Sequence, residues 1–257
     1  MKQETCPKCE GTGWVLETDA KGKSVAKRCT CYIENTIKVL IKQANLPKRY
    51  EECTFENFEI HNPSHKNALK ISKKFVKNYP VQEVGLLFQG PCGVGKTHLA
   101  VAIINELIKS KSAQCYFCDF RDLIKNIQKS YSAESSMSES DLIEPIFSNN
   151  VLVLDELGAK RTSPWVEETV FYIINHRYNH KKLTLFTSNY LDWGEEEEEE
   201  DKRIPYFKKG SSFNKGEDSL VDRIGVRLRS RIYEMCKLVT MEGDDYRKKV
   251  KQASYRF

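Results

Sequence analysis

Residues Gly90-Pro91-Cys92-Gly93-Val94-Gly95-Lys96-Thr97 fit the pattern G-x-x-x-x-G-K-[ST]. Glycines at those positions let successive backbone N–H groups curl around phosphate oxygens without Cβ clashes. An apolar run, Leu86-Leu87-Phe88-Gln89, comes before them, and a helical pattern from about Lys96 to Lys109 comes after. The start of such a helix offers its positive end to the same anion. Lys96 can reach the β- and γ-phosphates of a nucleotide, and the Thr97 hydroxyl can bind Mg²⁺. Val151-Leu152-Val153-Leu154 is a second buried run, and it ends in Asp155-Glu156. Acids at a strand's C-terminal end stand where ligands bind in open α/β sheets. Asp155 would hold Mg²⁺ through water, and Glu156 would orient and deprotonate an attacking water. Together these residues imply ATP binding and hydrolysis.

Three further groups of residues can do chemistry. Thr187-Ser188-Asn189 closes an apolar strand. A polar side chain there can touch the γ-phosphate or the attacking water, or can simply make a strand-to-loop turn. Arg223, Arg227 and Arg231 recur every four residues within a helical pattern over about 219–234, so one helix would carry all three on one face. Such a stripe can stabilise transferring phosphate charge in a neighbouring subunit, bind DNA phosphates, or form surface ion pairs. Cys6-x-x-Cys9 and Cys29-x-Cys31 supply four thiolates in two close pairs, a set that suits structural, tetrahedral Zn²⁺ with no open position. Redox or unrelated cysteines are the alternative. The other five of the nine cysteines are scattered through apolar contexts.

The elements that must position these groups are readable from periodicity. Strands are expected at Leu86–Gln89, Cys115–Cys118, Val151–Leu154, Leu183–Thr187 and Leu238–Thr240. Helices are expected at 32–45, 96–109, after an Asp119 cap through Leu123, Ile124, Ile127 and Tyr131, from Pro164 to about His180, and at 219–234. Strands alternating with helices imply a parallel sheet covered on both faces. The Ser- and Glu-rich stretch 132–140 reads as a mobile loop. The acidic run Glu195–Glu200 with Asp201 reads as a solvated one.

Composition narrows the class. No run of 18 apolar residues exists, so no membrane span is expected. The first five residues lead into cysteines and not into an apolar stretch. No signal peptide and a cytoplasmic location are therefore expected. The net charge of +5 is uneven: residues 1–50 carry 10 basic and 5 acidic groups, 51–201 carry 16 and 24, and 202–257 carry 15 and 7. Basic ends around an acidic middle suit an anionic partner such as nucleic acid, or are a plain solvated surface.

The ordered set of motifs resembles the AAA+ ATPases of the DnaC/DnaI helicase-loader and IstB-like family over roughly residues 46–250. The resemblance rests on Leu46-Pro47-Lys48-Arg49-Tyr50, Thr54-Phe55-Glu56-Asn57-Phe58, the phosphate loop with His98-Leu99-Ala100, and Asp155-Glu156-Leu157-Gly158. Thr187-Ser188-Asn189, the Arg227–Arg231 box and Gly243-Asp244-Asp245-Tyr246-Arg247 complete it. It implies a zinc-binding module over 1–31, a linker helix over 32–50 and an AAA+ domain over 51–257. Only 26 residues follow Arg231, so a helical lid and its arginine are not expected. Weak ATPase activity of the isolated chain would follow. The resemblance adds His98 to the nucleotide-binding residues, assigns Asn189 as the sensor of the γ-phosphate, and assigns the arginine finger to Arg227 or Arg231. The partners it implies are a replicative helicase, single-stranded DNA along the helix near Asp122–Tyr131, and further copies of the chain in a ring or spiral. A transposition accessory ATPase matches the same core, and a nucleotide-switched DNA-binding scaffold is a third possibility. The insertion 190–218 has no place in the family pattern.

Overall fold

Apolar runs become strands and amphipathic runs become helices in the computed structural model, which describes residues 5–18, 20–130, 138–160, 163–191 and 219–248. The chain begins with an antiparallel hairpin of β1 (Trp14–Thr18) and β2 (Ser24–Arg28), followed by α1 (Thr30–Gln43). The sequence pattern starts α1 at residue 32. The helix instead begins inside the cysteine cluster, because Cys29 is its N-cap and Cys31 lies in its first turn. A 3₁₀ turn at Lys48–Tyr50 leads to α2 (Pro63–Asn78), a helix not read from the sequence.

The main sheet is made of β3 (Gly85–Gln89), β4 (Cys115–Asp119), β5 (Val151–Asp155), β6 (Leu183–Ser188) and β7 (Cys236–Thr240), all parallel, in the order β4-β5-β6-β3-β7. Between them run α3 (Lys96–Lys111), α4 (Phe120–Ser130), α5 (Glu139–Ser148), α6 (Pro164–Asn179), α7 (Leu220–Ile224) and α8 (Val226–Met235). Strand side chains alternate between two cores. Leu86, Phe88, Val151, Val153 and Leu185 join α1, α2 and α3 on one face. Leu87, Leu152, Leu154 and Phe186 join the five later helices on the other. α3 sits between the sheet and two helices, so it is apolar nearly all round.

Three expectations need correction. The helix expected over 219–234 is two helices. Gly225 breaks it with φ 82°, and a Cβ there would stand 2.1 Å from the Glu167 carboxylate. Arg223 therefore lies on α7, and only Arg227 and Arg231 share a helix. The stretch 132–140 is not loop throughout, because Ser138 caps α5 in a reciprocal box with Asp141. Tyr131, the rest of that stretch up to 137, the acidic run 195–201 and positions 192–218 of the insertion lie outside the described residues. No helix among the described residues is long and apolar enough to cross a membrane.

α6 and β6 are joined by a fully buried arginine. The Arg177 guanidinium donates to the carbonyls of Ile146, Asn149, Asn150 and Leu183 and to the Thr184 hydroxyl, at 2.6–3.4 Å. Burial pulls its pKa down to about 9.

Candidate nucleotide site and cysteine cluster

The sheet order decides which motifs meet. β6 lies between β3, which carries the phosphate loop, and β5, which carries the acids, so the ends of all three strands face one crevice. Gly95 has φ 94° and is the N-cap of α3. A Cβ there would meet Phe58 at 2.7 Å, which leaves no room for a side chain. Lys96, 6% exposed, turns back into the loop and donates to the carbonyls of Gly90 and Pro91 at 2.7 Å each. Burial lowers its pKa to about 8, partly offset by the charges of Cys92, Asp155 and Glu156.

Asp155 is buried, and its Oδ1 accepts from the hydroxyls of Thr97 at 2.8 Å and Thr187 at 2.6 Å. Burial raises its pKa despite those two bonds. A divalent cation beside it would restore the ionised form. The Thr97 hydroxyl and the Asp155 carboxylate are adjacent hard oxygen ligands, so the residues fit Mg²⁺.

Thr187 stands in the polar strand end Thr187-Ser188-Asn189, but its partners are not legible in the sequence. Its hydroxyl also accepts the Glu156 amide at 2.9 Å, so one side chain of β6 holds both acids. Only the order of strands reveals this, since the partners are 31 and 32 residues away. Glu156 has φ 57°, a left-handed conformation that costs about 1–3 kcal/mol for a non-glycine residue. Its carboxylate is paired with the Arg121 guanidinium in the first turn of α4, and Arg121 also lies 3.6 Å from Asp119. Arg121 was likewise missed, because nothing in a surface-helix arginine marks its partner.

A cavity of about 690 Å³ lies here, lined among others by Lys96, Thr97, Glu156, Thr187 and Asn189. Aromatic rings line it as well. Phe58 and His65 are 5.8 Å apart, and His61 and Tyr246 are 5.7 Å apart, ring to ring. Flat ring walls beside a phosphate loop suit a purine. Arg247 enters the same cavity from the segment after β7, and its charge is felt at Lys96. His98 lines the cavity but bonds through Nε2 to the Thr54 carbonyl at 2.8 Å, which anchors the loop that carries Phe58.

The family described as IstB-like ATP binding protein matches residues 24–199, more than half of the chain. The chain belongs to the DnaC, DnaI and IstB-like family of AAA+ ATPases. Among relatives, the replicative helicase loader DnaC of Buchnera aphidicola is 27% identical over 216 residues, covering 84% of this chain and 78% of the relative. A crystal structure of the DnaC helicase loader is 33% identical with a TM-score of 0.61, covering 76% of this chain and 99% of that one. A DnaI structure, 20% identical at a TM-score of 0.55, covers 78% and 94% and shares the fold. Family membership makes the chain a nucleotide-binding and nucleotide-hydrolysing protein.

Two other sets of residues lie away from the cavity of this AAA+ chain. Arg227 is two-thirds exposed, pairs with Glu168 at 3.0 Å, and lies over the Phe171 ring. Arg231 is more enclosed, over Tyr178 and 3.7 Å from Glu234. Neither lines the chain's own nucleotide cavity. At the other end, the sulfurs of Cys6, Cys9, Cys29 and Cys31 lie within 4.8 Å of one another. The Cys6–Cys29 and Cys9–Cys31 pairs are 3.9 and 3.5 Å apart. Zinc bonds of about 2.3 Å give a tetrahedral edge of about 3.8 Å, so the set fits zinc. Backbone amides of Lys8 and Cys9 lower the Cys6 pKa to about 7, whereas the neighbouring thiols Cys29 and Cys9 push Cys31 up to about 12. Four thiolates so close need a cation before all can ionise. The hairpin β1–β2 is largely exposed, and Arg28 stacked between Trp14 and Tyr32 is its main packing.

Proposed function

We propose that this chain is an ATP-driven accessory protein of DNA replication that engages a replicative helicase and helps place it on single-stranded DNA. The observation that carries the reading is the 33% identity to a DnaC helicase loader across 99% of that structure, joined to an intact nucleotide cavity. Lys96 and the loop amides bind the triphosphate, and Thr97 and Asp155 would hold Mg²⁺, which would neutralise developing phosphate charge when bound. Glu156 takes a proton from the attacking water, and Asn189 senses the γ-phosphate. Arg227, the more exposed arginine, reaches a neighbouring copy's nucleotide in a ring or spiral, and Arg231 is the second candidate. Turnover by the isolated chain is weak and rises on assembly. The cysteine module, held by zinc, and α1 form the helicase-binding end. α4 faces single-stranded DNA.

The IstB-like match over 24–199 favours a second reading, a transposition accessory ATPase. Co-purification of the tagged chain with ATP from its own host separates the two. The replicative helicase should be recovered, and its recovery should fall for Lys96→Ala. Recovery of a transposase with no helicase would overturn the first reading.

A further inference from the structure

α2 lies in the acidic middle of the chain yet presents no acid to solvent. Apart from Pro63 at its start, its exposed residues are Lys66, Lys70, Lys73, Lys74 and Lys77, with Asn67 among them and Asn78 at the end. Its buried face is His65, Ala68, Ser72, Phe75 and Val76. The lysines at 66, 70, 73 and 77 follow helical spacing and form one row about 16 Å long. None of the five forms an ion pair with a described residue. Lys73 leans over the Phe55 ring, and Glu56 is the acid that feels it, together with Lys109 at the end of the adjoining α3.

This arrangement works against the helix that carries it. Like charges at i,i+4 repel and destabilise a helix. The first turn holds no acid, so Lys66 also faces the positive end of the helix dipole uncompensated. A solvated face would mix signs at no loss. An external polyanion relieves both penalties.

We propose that the α2 lysine face, extended by Lys109 and Lys111, binds the phosphate backbone of duplex DNA without reading sequence. Over that length of helix axis, duplex DNA carries about five phosphates per strand, one for each 3.4 Å or so. Lysines act as point charges towards phosphate, and the asparagines add hydrogen-bond donors. Single strands are bound by exposed aromatics on which bases stack, and the exposed face of α2 has none. The contact is thus a separate duplex grip, additional to the single-strand path assigned to α4.

The test is fluorescence anisotropy of a labelled random-sequence duplex and a labelled single strand. It uses the full chain without nucleotide or helicase, so its outcome does not depend on the loader reading. The variant joins Lys66→Gln, Lys70→Gln, Lys73→Gln and Lys77→Gln. All four side chains face solvent, and retained ATP binding verifies the fold. Duplex affinity should fall at least about tenfold at low salt, and the slope of log K against log salt should become shallower by about 3 to 4. Lys70→Gln alone should remove about 1 from that slope. Lys125→Gln with Lys129→Gln on α4 should instead weaken the single strand more than the duplex. An unchanged duplex slope in the quadruple variant overturns the proposal, and so does a loss confined to the single strand.

Discussion

At the scale of single residues, the site is governed by burial. Lys96 has a pKa of about 8 because it is enclosed and has only carbonyl partners. A bound triphosphate supplies anionic partners and must raise it. ATP affinity should therefore be flat below about pH 8 and fall as pH rises above it, by up to about tenfold per unit, with a proton taken up on binding. Calorimetry at pH 8.5 in buffers of different ionisation enthalpy measures that proton, and none is taken up if Lys96 is not the group. Lys96→Ala should abolish binding. Glu156→Gln should keep binding and lose about 10²–10⁴ in turnover. The Arg121 guanidinium occupies that carboxylate, which must be released to act as a base. Arg121→Ala should raise basal hydrolysis, and an unchanged or lower rate would show the pair to be structural only.

At the scale of elements, two features connect sequence to stability. Zinc removal should unfold the β1–β2 hairpin and fray the start of α1. Ala44 and Asn45, just beyond α1, bond to Phe117 of β4, so the far end stays docked and ATP binding survives. Metal analysis should find one zinc per chain, and circular dichroism with limited proteolysis should localise the loss to residues 5–35. A preparation without zinc that keeps the hairpin protected would refute this. The second feature is Arg177. Arg177→Leu removes the donor from four carbonyls, those of Ile146 and Leu183 in buried contacts, and from the Thr184 hydroxyl, and should cost about 3–5 kcal/mol, read from denaturant midpoints.

At the scale of the molecule, the arginine of α8 separates an assembling ATPase from a monomeric switch. Arg227→Ala should leave ATP affinity nearly unchanged while hydrolysis falls, by about 10³–10⁵ if the residue acts as fingers do in other P-loop enzymes. Mixing Arg227→Ala with Lys96→Ala should restore part of the activity, since each supplies what the other lacks at a shared interface. Arg231→Ala, whose side chain already packs on Tyr178, should perturb stability more and turnover less. No recovery on mixing would place the finger elsewhere.

Features whose partners are near in the chain are legible from residue order alone. The phosphate loop is one turn between a strand and a helix, so Gly90–Thr97 was legible as a unit. The cysteines come in two close pairs, and the parallel sheet followed from buried runs alternating with helical ones. Tertiary structure decided everything set by strand order or by a single backbone angle. Thr187 holds both acids only because β6 lies between β3 and β5. Arg121 meets Glu156, and Tyr246 and Arg247 close the cavity, across separations that no periodicity encodes. Gly225 removed Arg223 from the arginine row because one left-handed residue ends a helix that the pattern would continue. Local motifs are written in adjacent residues, whereas a site assembled at the ends of three strands exists only once the sheet has chosen its order.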